Sequence, residues 1–218
     1  MRPYLFDIDP ANVDPDGLAD GNSSAGATLT LDGALTSGGT FTSADGLAHR
    51  ISILDLGADD QSGATYTFVG TDADGIAQTE VVTGPTASAT VTTTGYFLTI
   101  EATPAISSPV AGSTVDVGTV DEIVSKTLPI NYRNTNGATF TADVTGTINY
   151  KVEETIDQIH LKAAPSQDAS WFGIFGATNL STDTLKQGTV HASAIRLVVN
   201  SYTDTAEIQF TVMQDENI

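Results

Sequence analysis

The chain contains no cysteine. That excludes a disulfide framework, a thiolate metal site and a thiol nucleophile together. Bases are scarce as well: eight Lys and Arg stand against 27 Asp and Glu, a formal charge of -19 over 218 residues. Nucleic-acid binding needs a cationic footprint that neutralises phosphates, so no nucleic acid is expected as a partner. An anionic membrane surface is disfavoured by the same repulsion. No run reaches the roughly 18 apolar residues of a membrane-spanning helix. The opening Met1-Arg2-Pro3-Tyr4-Leu5-Phe6-Asp7 also lacks the apolar core of a secretory signal. Synthesis in the cytosol is therefore expected. Charged residues amount to only 16%, and the Glu–Lys pairs at i,i+4 that support surface helices are few.

Thr, Ser, Gly and Ala take the place of charge. β-Branched Thr suits a pleated strand and Gly suits turns, so the composition points to an all-β protein. With 40% hydrophobic residues and a mean hydropathy near zero, the chain can bury a core and form one or two domains. The acid excess favours solubility and would suit docking on a basic partner.

Residues 1–25 read as an extended arm. Pro3, Pro10 and Pro15 interrupt regular structure, while Tyr4, Leu5, Phe6 and Ile8 form an apolar tip. The other reading of that tip is an edge strand of the chain's own domain. From Gly26 onward the pattern is strand and turn. Ala27–Leu31 alternates, Ala48–Leu56 is apolar on both faces at its centre, and Ala64–Val69 places Tyr66 and Phe68 on one face. Asp72-Ala73-Asp74-Gly75 then turns the chain into Ile76–Val82, a hairpin signal. Further strands are expected at 88–93, 96–102 and 113–117. Beyond residue 120, Thr147–Glu153, Ala194–Asn200 and Glu207–Met213 alternate again. The last two, joined by Ser201–Thr205, are expected to form a closing hairpin. Residues 1–120 hold only Arg2 and Arg50 as bases, and the other six come later. That shift places a domain boundary near 120. The expected architecture is two antiparallel β-sandwich or jelly-roll-like domains, 26–120 and 121–218, preceded by the 1–25 arm. A brief helix is most plausible in Asp121–Lys126 or Thr155–Leu161.

Candidate chemistry is thin. His49, His160 and His191 have no zinc-ligand spacing, with His49 and His160 falling in expected strands. There is no Gly-x-Ser-x-Gly elbow, and no phosphate-cradling glycine loop with a βαβ pattern around it. Asn12-x-Asp14-x-Asp16-Gly17 matches the first half of a calcium loop, but its twelfth position is Ser23 rather than Glu. Asp72-x-Asp74-Gly75 fits a hairpin turn equally well. No catalytic, cofactor-binding or metal-binding residue is assigned, and the chain is expected not to be an enzyme. Trp171-Phe172-Gly173-Ile174-Phe175 holds the single Trp. It reads either as a plug at a sandwich end or as a binding platform.

The run Leu29-Thr30-Leu31-Asp32-Gly33-Ala34-Leu35, then His49-Arg50-Ile51-Ser52-Ile53, then Gly70 to Glu80, resembles a pattern in virion-associated proteins of tailed bacteriophages. Tyr150-Lys151-Val152, Trp171-Phe172, Ala194-Ile195-Arg196-Leu197 and the terminal Val212-Met213-Gln214 extend the resemblance over most of the chain beyond the arm. It implies a structural protein of the virion, with the major capsid protein or other virion proteins as partners and a homo-oligomeric state. A capsid decoration protein that cements the outer shell is the leading expectation. A neck or tail component is the alternative, and a carbohydrate- or receptor-binding module using Trp171 is a further one.

Overall fold

The alternating pattern becomes antiparallel strands throughout the computed structural model, which describes residues 4–131, 138–174, 176–188 and 191–214. The fold is all-β, and the chain divides into two compact units: Val13–Val120, and Met1–Asn12 together with Asp121–Ile218. The stretch read as an arm is thereby divided. Tyr4–Ile8 is an edge strand paired with Glu207–Gln214, in register from Tyr4↔Val212 to Ile8↔Ile208. Residues 13–25 are built into the other unit, where Ala19–Ser23 pairs with Thr114–Val124.

That irregular segment is ordered because its backbone groups find partners without a regular ladder. The Leu18 N–H donates to the Val117 carbonyl, the Thr119 N–H to Asp14, and the Gly33 N–H to Leu18. Leu18 is completely buried. Gly118 makes the approach possible, since a Cβ there would lie 2.0 Å from the Asp14 carbonyl oxygen. Prolines and aspartates hide such an arrangement from a pattern search, which registers only periodicity.

In the Val13–Val120 unit, one sheet is built on Thr65–Thr71 and Ala77–Thr83, paired without interruption from Thr65↔Thr83 to Thr71↔Ala77. Ala105–Ser107 and Thr99–Ile100 pair with the other side of Thr65–Thr71. In the second sheet Ala48–Asp55 lies between Thr114–Val124 and Thr90–Thr92. Leu29, Leu31, Phe41, Ile51, Ile53, Tyr66, Phe68, Phe97, Ile100 and Val115 form a single buried core. The expected Ala27–Leu31 strand buries Leu29 and Leu31 as its alternation requires. It makes only one isolated bridge, Thr28 to Ala105.

The other unit contains two sets of strands. One runs Tyr4–Ile8, Glu207–Gln214, Ala138–Thr145, Thr184–Gln187, and the other is centred on Ile148–Thr155 and Ala194–Tyr202. Phe6, Phe210 and Phe140 lie in a row across the first sheet, with ring centroids 6.4 and 5.8 Å apart. The expected closing hairpin does not form: Ala194–Tyr202 pairs with Ile148–Thr155, while Glu207–Gln214 pairs with Ala138–Thr145. Both connections are arches that carry the chain from one sheet to the other. They are joined by a hydrogen bond from the Thr203 N–H to the Thr147 carbonyl, 3.0 Å. Gly146, at φ +76, leaves room for the second arch, because a Cβ there would sit 2.8 Å from the Thr205 carbonyl oxygen. Alternation tells which face of a strand is buried and not which strand lies beside it.

Among the described residues helix is confined to one four-residue turn, Pro165–Asp168, and a 3-10 turn at Ile159–Leu161. The latter falls in the expected 155–161 window. Asp121–Lys126 is not helical, since its first four residues continue the Thr114–Val124 strand. No helix among the described residues is long and apolar enough to cross a membrane.

Candidate functional site

His49 sits on the core-facing row of Ala48–Asp55, and its Nε2 lies 3.0 Å from Asp45 Oδ2. Asp45 Oδ1 in turn receives the Ser43 hydroxyl at 2.5 Å and the Leu47 N–H at 2.8 Å. A Ser, an Asp and a His are thus neighbours. The serine hydroxyl donates to the carboxylate, however, and not to the imidazole that would have to take its proton. The cluster pins a loop. His160 is in the 3-10 turn rather than in a strand, and His191 holds a left-handed backbone at φ 74. The fold brings these two together on a cavity of about 210 Å³ lined by Ile156, Gln158, His160, His191 and Ser193. The Ser193 hydroxyl is already engaged with the carbonyls of Thr155 and Asp157. No group of three or more His, Asp or Glu among the described residues is placed to share a metal ion.

The two calcium-like strings serve local structure. Asp72 Oδ1 accepts the N–H groups of Asp74 and Ile76, both at 2.9 Å, so its carboxylate closes the hairpin turn from within. Asp14 is held above the usual carboxylate range, first by a side-chain hydrogen bond with Asp16 and then by burial.

Trp171 lies against Arg196, whose guanidinium carbon is 4.2 Å from the ring centroid. The same guanidinium grips Glu153 Oε2 through Nε at 2.9 Å and Nη2 at 2.7 Å. It also donates through Nη1 to the Ser166 carbonyl at 3.1 Å. Lys151 Nζ completes the group, 2.7 Å from Glu153 Oε1. Burial pushes the Glu153 carboxyl up, but the Lys151 hydrogen bond and the Arg196 charge outweigh it and hold the group below its ordinary range. Arg196 covers one face of the half-buried Trp171, and the indole Nε1 is enclosed. Phe172, beside it, is 59% exposed. Phe175 lies outside the described residues.

A buried network was not signalled by any motif. Asp55 ends the row that Ile51 and Ile53 occupy and is 2% exposed. It accepts from the Ser88 N–H at 2.9 Å, Gln61 Nε2 at 2.5 Å and the Ser113 hydroxyl at 3.1 Å, while the Tyr66 hydroxyl donates to Gln61 Oε1. Burial pushes the Asp55 carboxyl up, yet these donors prevail and keep it below the usual range. An Asp closing an apolar strand was the available clue.

The outer surface of the 65–83 hairpin is of a different kind. Thr65, Thr67, Val69 and Thr71 face outward beside Thr83, Val81, Thr79 and Ala77, and Val81 is 60% exposed. Not one carries charge. Ala77–Thr83 pairs with Thr65–Thr71 on one side, and no described strand pairs with it on the other. Tyr4–Ile8 and Thr184–Gln187 likewise end their sheet. In comparisons with protein families, with characterised proteins and with solved structures, the chain has no match.

Proposed function

We propose that this chain is a structural protein of a tailed-bacteriophage virion, and within that class a decoration protein that binds and stabilises the outer capsid shell. The observation that carries this reading is the set of open sheet edges on two β-sandwich units: Ala77–Thr83 in one, Tyr4–Ile8 and Thr184–Gln187 in the other. Such edges offer ready-made rows of backbone donors and acceptors for strand addition to a neighbouring subunit. The resemblance to virion-associated proteins supplies the kind of neighbour. The Asp55 network, the Asp72 turn and the Glu153–Arg196 pair are each engaged within the chain.

Mixing the purified protein with preformed shells of its cognate capsid protein tests the proposal. A decoration protein binds in many copies per shell and raises the temperature at which the shell opens. Saturable binding with no gain in shell stability removes the cementing role. A few copies confined to one vertex point instead to the neck or tail. A sugar platform built on Trp171 is the weaker reading, because Arg196 already occupies one face of the ring.

A further inference from the structure

Long regular edge strands are a hazard, and proteins usually blunt them with lysine, proline, a bulge or a covering loop. Ala77–Thr83 has no lysine, proline or bulge, and its one charge, Glu80, is turned inward and taken up by the Thr94 and Gly95 N–H groups. Its sequence is Ala-Gln-Thr-Glu-Val-Val-Thr, and its seven pairs with Thr65–Thr71 run without a shift in register. Every second side chain, Ala77, Thr79, Val81 and Thr83, is outward and exposed. The strand is also held rigidly from beneath. Glu80 accepts the N–H groups of Thr94 and Gly95 at 2.6 and 2.8 Å, and Gln78 Nε2 donates to the Tyr96 carbonyl at 2.6 Å. An edge fixed in this way loses little conformational entropy when it is paired.

Charge selects the occupant. Residues 13–120 carry thirteen carboxylates and one base, Arg50, and Arg50 is turned to the Thr93 carbonyl and the Thr92 hydroxyl. A basic partner would be drawn to the carboxylates and gain nothing special from an uncharged margin. Two copies of this acidic chain, by contrast, repel one another except where such a margin lets them meet. The hairpin's outward face and edge are that place. We propose that Ala77–Thr83 pairs antiparallel with the same strand of a second copy across a two-fold axis, continuing the sheet from one protomer into the other. The contact is self-complementary and consumes the Ala77–Thr83 edge of each copy, so through this edge assembly closes at two copies. A register centred on Val81 sets Glu80 opposite Val82 and Thr79 opposite Thr83, which avoids placing Glu80 against itself.

This inference rests on reading the chain as an assembly protein and names one of its partners. Sedimentation of the wild-type protein over a concentration series is expected to show a monomer–dimer equilibrium. Val81→Glu places two new carboxylates face to face and weakens the dimer by roughly tenfold or more. Because Val81 is exposed in the single chain, its circular dichroism should match the wild type, and its melting temperature should match at concentrations where the wild type is monomeric. Leu185→Glu, on an exposed edge of the other unit, leaves the dimer intact. With no native cysteine, Val81→Cys gives one thiol per chain, and oxidation should link two protomers. A monomer at every concentration, or a dimer that Val81→Glu leaves unchanged, overturns the proposal. Shell binding measured in parallel keeps the two readings apart. A monomer that decorates shells defeats only the pairing, and a dimer that ignores shells defeats only the decoration role.

Discussion

Asp55 shows how one ionised side chain can organise an interior. Its carboxylate ties Gln61, Ser113 and the Ser88 backbone together, and through Gln61 the Tyr66 hydroxyl. Asp55→Asn keeps the shape but turns an amide N–H₂ toward groups that are themselves donors. We expect a loss of about 2–3 kcal/mol, the range for hydrogen bonds to a charged group plus a buried donor left unmade. Chemical denaturation at neutral pH measures it. The pH dependence has a definite sign. Both Asp55 and Glu153 have folded-state values below their ordinary ones, so their contribution is present above the ordinary carboxylate range of about 4. It is lost as pH falls through the lower, folded-state values. Stability of the wild type should decline below that range, and Asp55→Asn should decline less steeply. Alternation places Asp55 on the core side of its strand but names none of its donors, which come from three separate loops at Gln61, Ser88 and Ser113.

At the scale of elements, Ile148–Thr155 and Ala194–Tyr202 are clasped by the Glu153–Arg196 pair with Trp171 laid over it. Lysine cannot reproduce both the two-donor grip on Glu153 Oε2 and the flat stack. Arg196→Lys is expected to cost about 1–2 kcal/mol and to shift the emission of the single Trp to longer wavelength. Phe172→Ala should leave stability within about 0.5 kcal/mol, as for an exposed side chain. An unchanged emission in Arg196→Lys would show that the stack is not maintained in solution. The aromatic run was visible in the sequence as an oddity, and its two readings divide between adjacent residues: Trp171 is packed and Phe172 is presented. Tyr66 and Phe68 announced their hairpin, because a tight Asp-Gly turn leaves the next strand no other neighbour. Ser201–Thr205 carried no such signal. The same two apolar faces, Leu197 with Val199 and Ile208 with Phe210, satisfy a hairpin or an arch equally well.

For the whole molecule, a charge of -19 makes association a contest between a local uncharged contact and long-range repulsion. Screening shortens the repulsion to about 10 Å at 0.1 M salt. Dimerisation through Ala77–Thr83 should therefore strengthen as sodium chloride is raised from low concentration, opposite to the behaviour of an interface built from ion pairs. Sedimentation at several ionic strengths reads this directly. The pairing of Tyr4–Ile8 with Glu207–Gln214 bears on a different matter, the timing of synthesis. The Val13–Val120 unit is continuous in sequence and can fold while the ribosome is still making the rest of the chain. The other unit cannot be finished then. Phe6 must wait for Phe210, so a strand made before the Val13–Val120 unit is seated only after that unit is complete. Until then its Tyr-Leu-Phe stretch is unclaimed. A nascent chain stalled before residue 207 should display a protease-resistant Val13–Val120 core with a freely cleavable leading segment.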